Sequence, residues 1–238
     1  MVRNRKPSAE YSVIIPQHGC WEKTVSCCSS LLRHHACALE LLVVDDGSNE
    51  WDRARSRRYL RDMAWCIEQP RSGVTAAWNR GLSLASAPVR VLLNNDVETL
   101  ASWLPELGRI LHAEPRALVG AEYARSSATR RLGRIVRLPN EARMLAGWCL
   151  GFTRSAAADV GDFDEGMCLY WSDTDWQLRW LKTHGSQIGL RLLPENCMRH
   201  RGHVSTRRLP TRQQQWQQDR EHFLRKWGGP RMGEQGQE

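Results

Sequence analysis

Three short apolar runs, each ending in a cluster of polar residues, constrain what this chain can fold into. Tyr11 to Ile15 (YSVII) is stopped by Pro16. LELLVVDDGS, residues 39–48, passes from leucine and valine into acids, glycine and serine, and VRVLLNND, 89–96, ends on an acid. β-Branched runs of this length with turn residues behind them read as buried strands. Residues 21–36, 51–61, 74–84 and 100–111 are helix-compatible, and AWCIE, 64–68, reads as a further short strand. Strands that alternate with helices predict a mostly parallel sheet covered by helices on both faces. Ligands of such sheets bind beyond the carboxyl ends of the strands. Here those ends carry Pro16-Gln17-His18, Asp45-Asp46-Gly47-Ser48 and Asn94-Asn95-Asp96, so polar groups are expected to converge on one edge.

The second half is less regular. ALVGAEYA, 117–124, reads as a strand. Residues 125–143 are rich in arginine: Arg125, Arg130, Arg131, Arg134, Arg137 and Arg143. AGWCLGFT, 146–153, reads as a strand feeding a short helix. Residues 173–184 read as a helix with Trp176, Trp180 and Leu181 on one side, and 187–193 as a last strand. Residues 212–227 form a polar helix with Phe223 and Trp227 one turn apart, and the residues after it are expected to fray.

Composition narrows the class of partner. With 41% hydrophobic and 25% charged residues in 238, the chain suits one domain with a substantial core. No apolar run nears the roughly 20 residues that span a bilayer, and the basic start MVRNRKPSAE is not followed by a signal-type apolar segment. The expected location is cytoplasmic, with peripheral contact at the inner membrane face. Lys plus Arg outnumber the acids 34 to 26, a formal charge of +8. That balance favours nucleotides, nucleic acid or an anionic membrane surface without choosing among them. The eight cysteines show no CxxC pair and no zinc-like spacing, and read as small buried thiols.

Eight segments occur in an order that carries a resemblance: YSVIIPQHG, LLVVDDGS, SGVTAAWNRGLSLA, VLLNND, GWCLGFTRS with VGDFDE, WSDTDWQLRW, MRHRGHVST and FLRKWG. Together they resemble a family-2 glycosyltransferase of the rhamnosyltransferase-like bacterial or phage type. The resemblance implies an α/β fold of GT-A type, with a Rossmann-like mixed, mostly parallel sheet flanked by helices. It implies a single domain over residues 11–228, with 11–115 binding the nucleotide sugar and 116–228 shaping the acceptor side. Residues 1–10 and 229–238 are left as tails.

The resemblance also assigns roles. Pro16, His18, Asp45, Gly73, Asn79, Arg80, Asn94 and Asn95 fall on the donor side. Asp45 is expected to accept a hydrogen bond from the base, an interaction suited to a carboxylate at a strand end, or else to serve the turn, as Asp46, Gly47 and Ser48 do. Asp96 ends the counterpart of the family's Asp-x-Asp and is expected to hold Mg²⁺ or Mn²⁺, hard cations that prefer oxygen ligands. Asn94 replaces the first acid of that motif. Trp78 stands where relatives commonly carry an arginine, so a phosphate-facing role passes to Arg80 or is lost. His200 is expected to complete the metal site, with His203 as an alternative. WSDTDW matches the segment that supplies the catalytic base: Asp173 is the base, Asp175 the second acid, and Ser172 departs from the usual Glu, removing a like charge beside Asp173.

Gly147, Trp148, Trp171, Asp175 and Trp176 are assigned to the acceptor side, where aromatic rings stack on sugar faces. For any one of the eleven tryptophans, packing is the competing role, and Trp227 is read as packing. The activity implied is inverting transfer from a nucleotide-diphosphate sugar to a hydroxyl, on a saccharide or lipid-linked glycan. Two alternatives stand beside it: a transferase acting on modified DNA bases, which the arginines would suit, and a nucleotide-sugar-binding remnant, which Asn94 and Ser172 would suit.

Overall fold

The computed structural model describes residues 9–124, 144–185, 189–202 and 211–228. The arginine-rich stretch 125–143, His203, Arg207, Arg208 and most of both tails lie outside the described residues.

Strands β1 (Tyr11–Gln17), β2 (Leu39–Asp46), β3 (Trp65–Gln69) and β4 (Val89–Leu93) pair in parallel in the order β3-β2-β1-β4. Helices α1 (Trp21–His34), α2 (Glu50–Tyr59) and α3 (Val74–Leu84) connect them. β7 (Cys149–Thr153) then joins β4 antiparallel, and β6 (Leu118–Gly120) and β8 (Leu190–Leu192) complete seven strands. α4 (Leu104–Ala113), α5 (Arg154–Val160), α6 (Ser172–His184) and α7 (Arg212–Trp227) supply the remaining helices among the described residues. The sheet is mixed and mostly parallel, as expected.

Alternation along each strand divides the core into two layers. Val13, Ile15, Val43, Val91 and Leu93 face Cys27, Cys28 and Leu31 of α1 and Leu104, Leu107 and Leu111 of α4. Ile14, Leu42, Val44 and Leu92 face Ala77, Trp78 and Leu82 of α3, with Phe152, Phe163, Trp176 and Trp180 continuing that layer. Each fully buried Leu or Ile stabilises by about 1.5–3 kcal/mol relative to leaving it exposed. All eight cysteines are free thiols. Cys27, Cys28, Cys149 and Cys197 are buried and the other four half-buried.

Two departures from the sequence expectation matter for the site. The run 89–96 does not continue as one strand. β4 stops at Leu93, and residues 94–96 turn out of the sheet into β5 (Val97–Thr99), which pairs antiparallel with β9 (Met198–His200). These two short strands have no periodicity to reveal them, yet their pairing sets Val97 opposite His200 and so brings His200 next to Asp96. The helix expected from Leu100 starts at Leu104 instead. The N–H groups of Leu100 and Ala101 are taken by the Cys197 carbonyl, and Pro105 suits the first turn, where its missing N–H costs nothing.

Candidate active site

The carboxyl ends of β1 and β2 are held by two carboxylates. Asp45 is buried, accepting from the Ser48 N–H at 2.8 Å and from Gln17 Nε2 at 2.6 Å. Asp46 accepts from the Ser72 N–H and Gln69 Nε2 through Oδ1, and from the Gly73 N–H through Oδ2. One acid closes its own turn and the next ties the β3–α3 loop to it. Gly47, which follows them, has φ +70, and a Cβ there would stand 2.6 Å from the Arg71 backbone nitrogen, so only glycine fits. The turn role expected of Asp46 therefore extends to Asp45.

His18 lies beside this turn. Its Nδ1–H donates to the Asp46 carbonyl at 2.9 Å, which leaves Nε2 to accept from Arg71 Nη1 at 2.6 Å. Arg71 is thus an aimed, exposed cation at the sheet edge. Nothing in its surroundings in sequence distinguished it; only the approach to Gly47 and His18 does. Arg80 is exposed on α3, while Asn79 is engaged by the loop after α5, bonding the Phe163 N–H and carbonyl and Glu165. Trp78 is in the core.

The 94–96 turn spreads its three side chains differently. The Asn94 N–H donates to the Trp148 carbonyl. Asn95 is buried and donates to Thr24 Oγ1 on α1 at 3.1 Å. Asp96 Oδ1 lies 3.0 Å from His200 Nε2. That ring nitrogen is buried yet not aligned for a hydrogen bond with any partner. The contact is one of charge and proximity, the arrangement of two groups that converge on a common point. Burial pushes the Asp96 carboxyl up, but the contact with His200 and the nearby Lys23 charge outweigh it and hold it below the ordinary range. Among the described residues no three His, Cys, Asp or Glu side chains gather in one cluster. Two protein ligands with open positions suit a cation shared with substrate phosphates, as Mg²⁺ commonly is, and the orphaned His200 nitrogen fits that use.

The dipeptide Gly147-Trp148 links this pair to Asp173. The Trp148 ring stacks on His200, with centroids 4.9 Å apart and planes 21° apart, while its Nε1 donates to Glu122 at 2.7 Å. Gly147 makes room for the base candidate: a Cβ there would collide with the Asp173 carboxylate, coming 2.7 Å from Cγ. Asp173 sits in the first turn of α6, after Trp171 in a left-handed conformation (φ 68). Desolvation raises the Asp173 carboxyl above the ordinary aspartate value, and hydrogen bonds from Thr174 and from its own N–H offset that only in part.

Asp175 and Trp176 are placed elsewhere. Asp175 is fully buried and accepts from Arg179 Nε, Trp227 Nε1 and Lys226 Nζ at 2.9–3.0 Å, pinning α7 to α6. Trp176 stacks on Phe163 within the core and donates to the Gly161 carbonyl. Both are packing positions rather than surfaces open to an acceptor. Trp171 is half-buried against Trp216 and Phe223.

A further residue, Asp219, escapes a sequence reading. It is fully buried on α7 and accepts the N–H groups of Cys168, Leu169 and Tyr170 at 2.8–3.1 Å, together with Gln215 Nε2. The loop so held leads directly into Trp171 and Asp173. The available signal was the stripe Gln215, Asp219, Phe223, Trp227 at four-residue spacing. Asp219→Ala leaves three backbone donors unpaired and is expected to destabilise by about 3 kcal/mol or more. A urea-unfolding midpoint unchanged from wild type would contradict that role.

Comparison with known proteins places this geometry. The family model described as "Glycosyl transferase family 2" matches residues 12–179. Among solved structures, the mannosyltransferase PcManGT from Pyrobaculum calidifontis, in complex with GDP-Man and Mn²⁺, superposes with a TM-score of 0.60 at 18% identity. The match covers 81% of this chain and 56% of that one. GalNAc-T7, crystallised with UDP, GalNAc and Mn²⁺, gives a TM-score of 0.60 at 16% identity, covering 82% of this chain and 44% of that one. The chain thus spans about half the length of both. No curated protein matches it.

Proposed function

The chain belongs to glycosyl transferase family 2 and has a GT-A fold, and from that premise we propose that it transfers a sugar, with inversion, from a nucleotide-diphosphate donor to a hydroxyl acceptor. The observation that carries the reading is the Gly147-Trp148 dipeptide, which packs a carboxylate of raised pKa on one side and the His200–Asp96 pair on the other.

One in-line displacement accounts for these parts. The acceptor oxygen attacks the anomeric carbon as its proton passes to Asp173. The bond from that carbon to the diphosphate oxygen breaks, and the electron pair leaves with the diphosphate. A base near its working pH is what such a transfer needs, and burial moves the Asp173 carboxyl in that direction. Asp96 and His200 would hold a divalent cation, which when bound neutralises charge on the leaving diphosphate. Arg71, aimed by His18, takes up the cationic role on the donor side that Trp78 does not fill. The remaining donor-side residues act by positioning. Asp45, Asp46 and Asn95 shape the cleft through backbone and side-chain ties instead of touching the donor.

The acceptor is a saccharide or a glycan carried on a lipid. The Tyr170 hydroxyl and the Trp171 indole N–H, on the segment that leads into Asp173, are buried without a hydrogen-bond partner among the described residues, which suits hydroxyl-rich ligands. The test is a panel of nucleotide sugars with Mn²⁺ and saccharide acceptors, read by release of the nucleoside diphosphate and by NMR of the anomeric configuration of the product. Products of inverted configuration are expected. Retention of configuration, or no diphosphate release with any donor, would overturn the reading.

A further inference from the structure

α2 buries only Ser56 along its ten residues. Its outer face is not simply polar. Trp51, Arg55, Arg58 and Tyr59 follow at i, i+4, i+7 and i+8, one stripe of an α-helix. Trp51 is 56% exposed and Tyr59 43%. Each ring carries a guanidinium: Arg55 lies 4.9 Å from the Trp51 centroid and Arg58 lies 5.7 Å from that of Tyr59. Trp21 at the start of α1 stacks on Tyr59 at 4.9 Å and meets Trp51 edge-on at 6.2 Å, widening the aromatic surface beyond one helix.

The acids of this helix are occupied elsewhere. Glu50 pairs with Arg53 and Arg57, Glu68 pairs with Arg57, and Asp52 accepts from Asn49. Arg55 and Arg58 have no carboxylate within ion-pair distance among the described residues, so two cations on the stripe are left without an anion. From residue 50 to 62 the chain carries five arginines against three acids. Exposed aromatic rings are costly to leave in water, and a single-sign charge beside them selects an anionic apolar boundary.

We propose that the α1–α2 face docks on an anionic lipid surface, with the Trp51 and Tyr59 rings at the headgroup level and Arg55 and Arg58 on the lipid phosphates. Trp and Tyr partition to that level because each has an apolar body and a polar tip. Arginine spans the same boundary, its stem against the rings and its guanidinium against phosphate. A nucleic acid would use the cations, but single-strand binders present rings in a groove that tracks the backbone. Here two of the three rings, Trp21 and Tyr59, are stacked on each other instead of standing open for bases. Trp51, Arg55, Arg58 and Tyr59 are none of the residues placed in the candidate active site, and the inference does not depend on the sugar-transfer reading.

The experiment is co-sedimentation of the full chain with vesicles of phosphatidylcholine alone and with about a third phosphatidylglycerol. Association with the anionic vesicles is expected to weaken as salt is raised. The double variant Arg55→Ala/Arg58→Ala should lower the partition coefficient about 30-fold, the usual scale for two surface cations. Trp51→Ala/Tyr59→Ala should lower it about tenfold or more. Arg109→Ala/Arg116→Ala removes the same formal charge from exposed positions on another part of the surface, and should stay within about twofold of wild type. All of these are surface positions, and unchanged circular dichroism will show that the variants fold. Absence of binding to anionic vesicles, an equal loss in the Arg109/Arg116 control, or tighter binding of duplex DNA through the same four residues would each overturn the proposal.

Discussion

Replacing Asp173 by Asn is expected to lower kcat by roughly 10²-fold or more, the scale for losing a positioned base, while donor affinity stays within a few-fold. The amide keeps the volume beside Gly147 and most of the hydrogen-bonding capacity in the first turn of α6, but it cannot accept the acceptor's proton. Since burial raises the Asp173 carboxyl, the acidic limb of the kcat profile should lie above the ordinary aspartate range: activity is full where Asp173 is ionised and falls as pH drops through the raised value. In Asp173→Asn that limb should disappear along with the rate. Asp175→Asn separates base from scaffold. Its carboxylate is spent on Arg179, Lys226 and Trp227, so loss of that charge should lower the unfolding midpoint more than it lowers kcat at a temperature where the variant is folded. Single-turnover rates with calorimetric donor binding measure both. A larger loss of rate in Asp175→Asn than in Asp173→Asn, at equal folded fraction, would move the base two residues along the helix.

The contrast between these two acids shows where a sequence reading of such a chain succeeds and stops. The parallel sheet and its helices were legible because short β-branched runs ending in turn residues and helix-compatible stretches are local signals, and the polar strand ends follow from topology. Asp173 and Asp96 were singled out as candidates by ordered motifs, and the structure sets one beside Gly147 and the other beside His200, on which Trp148 stacks. Asp175 and Trp176 fall in the same motif as Asp173, but at about 100° per residue Asp175 stands about 200° round the helix from Asp173, and Trp176, three residues on, is carried nearly a full turn along the helix. Asp175 points to α7 and Trp176 to the core. Asp45, singled out as a ligand-binding acid, also closes the turn through Ser48 and Gln17, ties that the one-dimensional motif does not show. Asp219 and Arg71 acquire their roles only from partners some fifty residues away, a separation at which the chain offers no pattern. β5 and β9, three residues each, are too short for any periodicity, yet they bring His200 to Asp96.

Those short strands lead to the second large effect. Asp96→Ala is expected to abolish transfer and leave the fold intact. Asp45 and Asp46 hold backbone N–H groups of neighbouring loops, so removing either would loosen the turn. The buried Asp96 carboxylate has, among the described residues, its own N–H, His200 Nε2 at 3.0 Å and the Lys23 charge around it, and it ties down no neighbouring loop. Against the upward push of burial, its carboxyl is held below the ordinary range by His200 and Lys23, so its charge contributes only modestly to stability at neutral pH. Its removal should therefore leave the unfolding midpoint unchanged or slightly lowered, while Mn²⁺ binding, read by electron paramagnetic resonance in the presence of nucleoside diphosphate, falls below detection. Asp96→Asn should behave alike, because it keeps an oxygen ligand but loses the charge. His200→Ala removes one of two protein ligands and should weaken Mn²⁺ by about 10–100-fold without eliminating it. Near-wild-type turnover of Asp96→Ala in chelator-treated buffer would show that the diphosphate leaves without a cation held at this residue, and the stabilising charge would then have to come from Arg71.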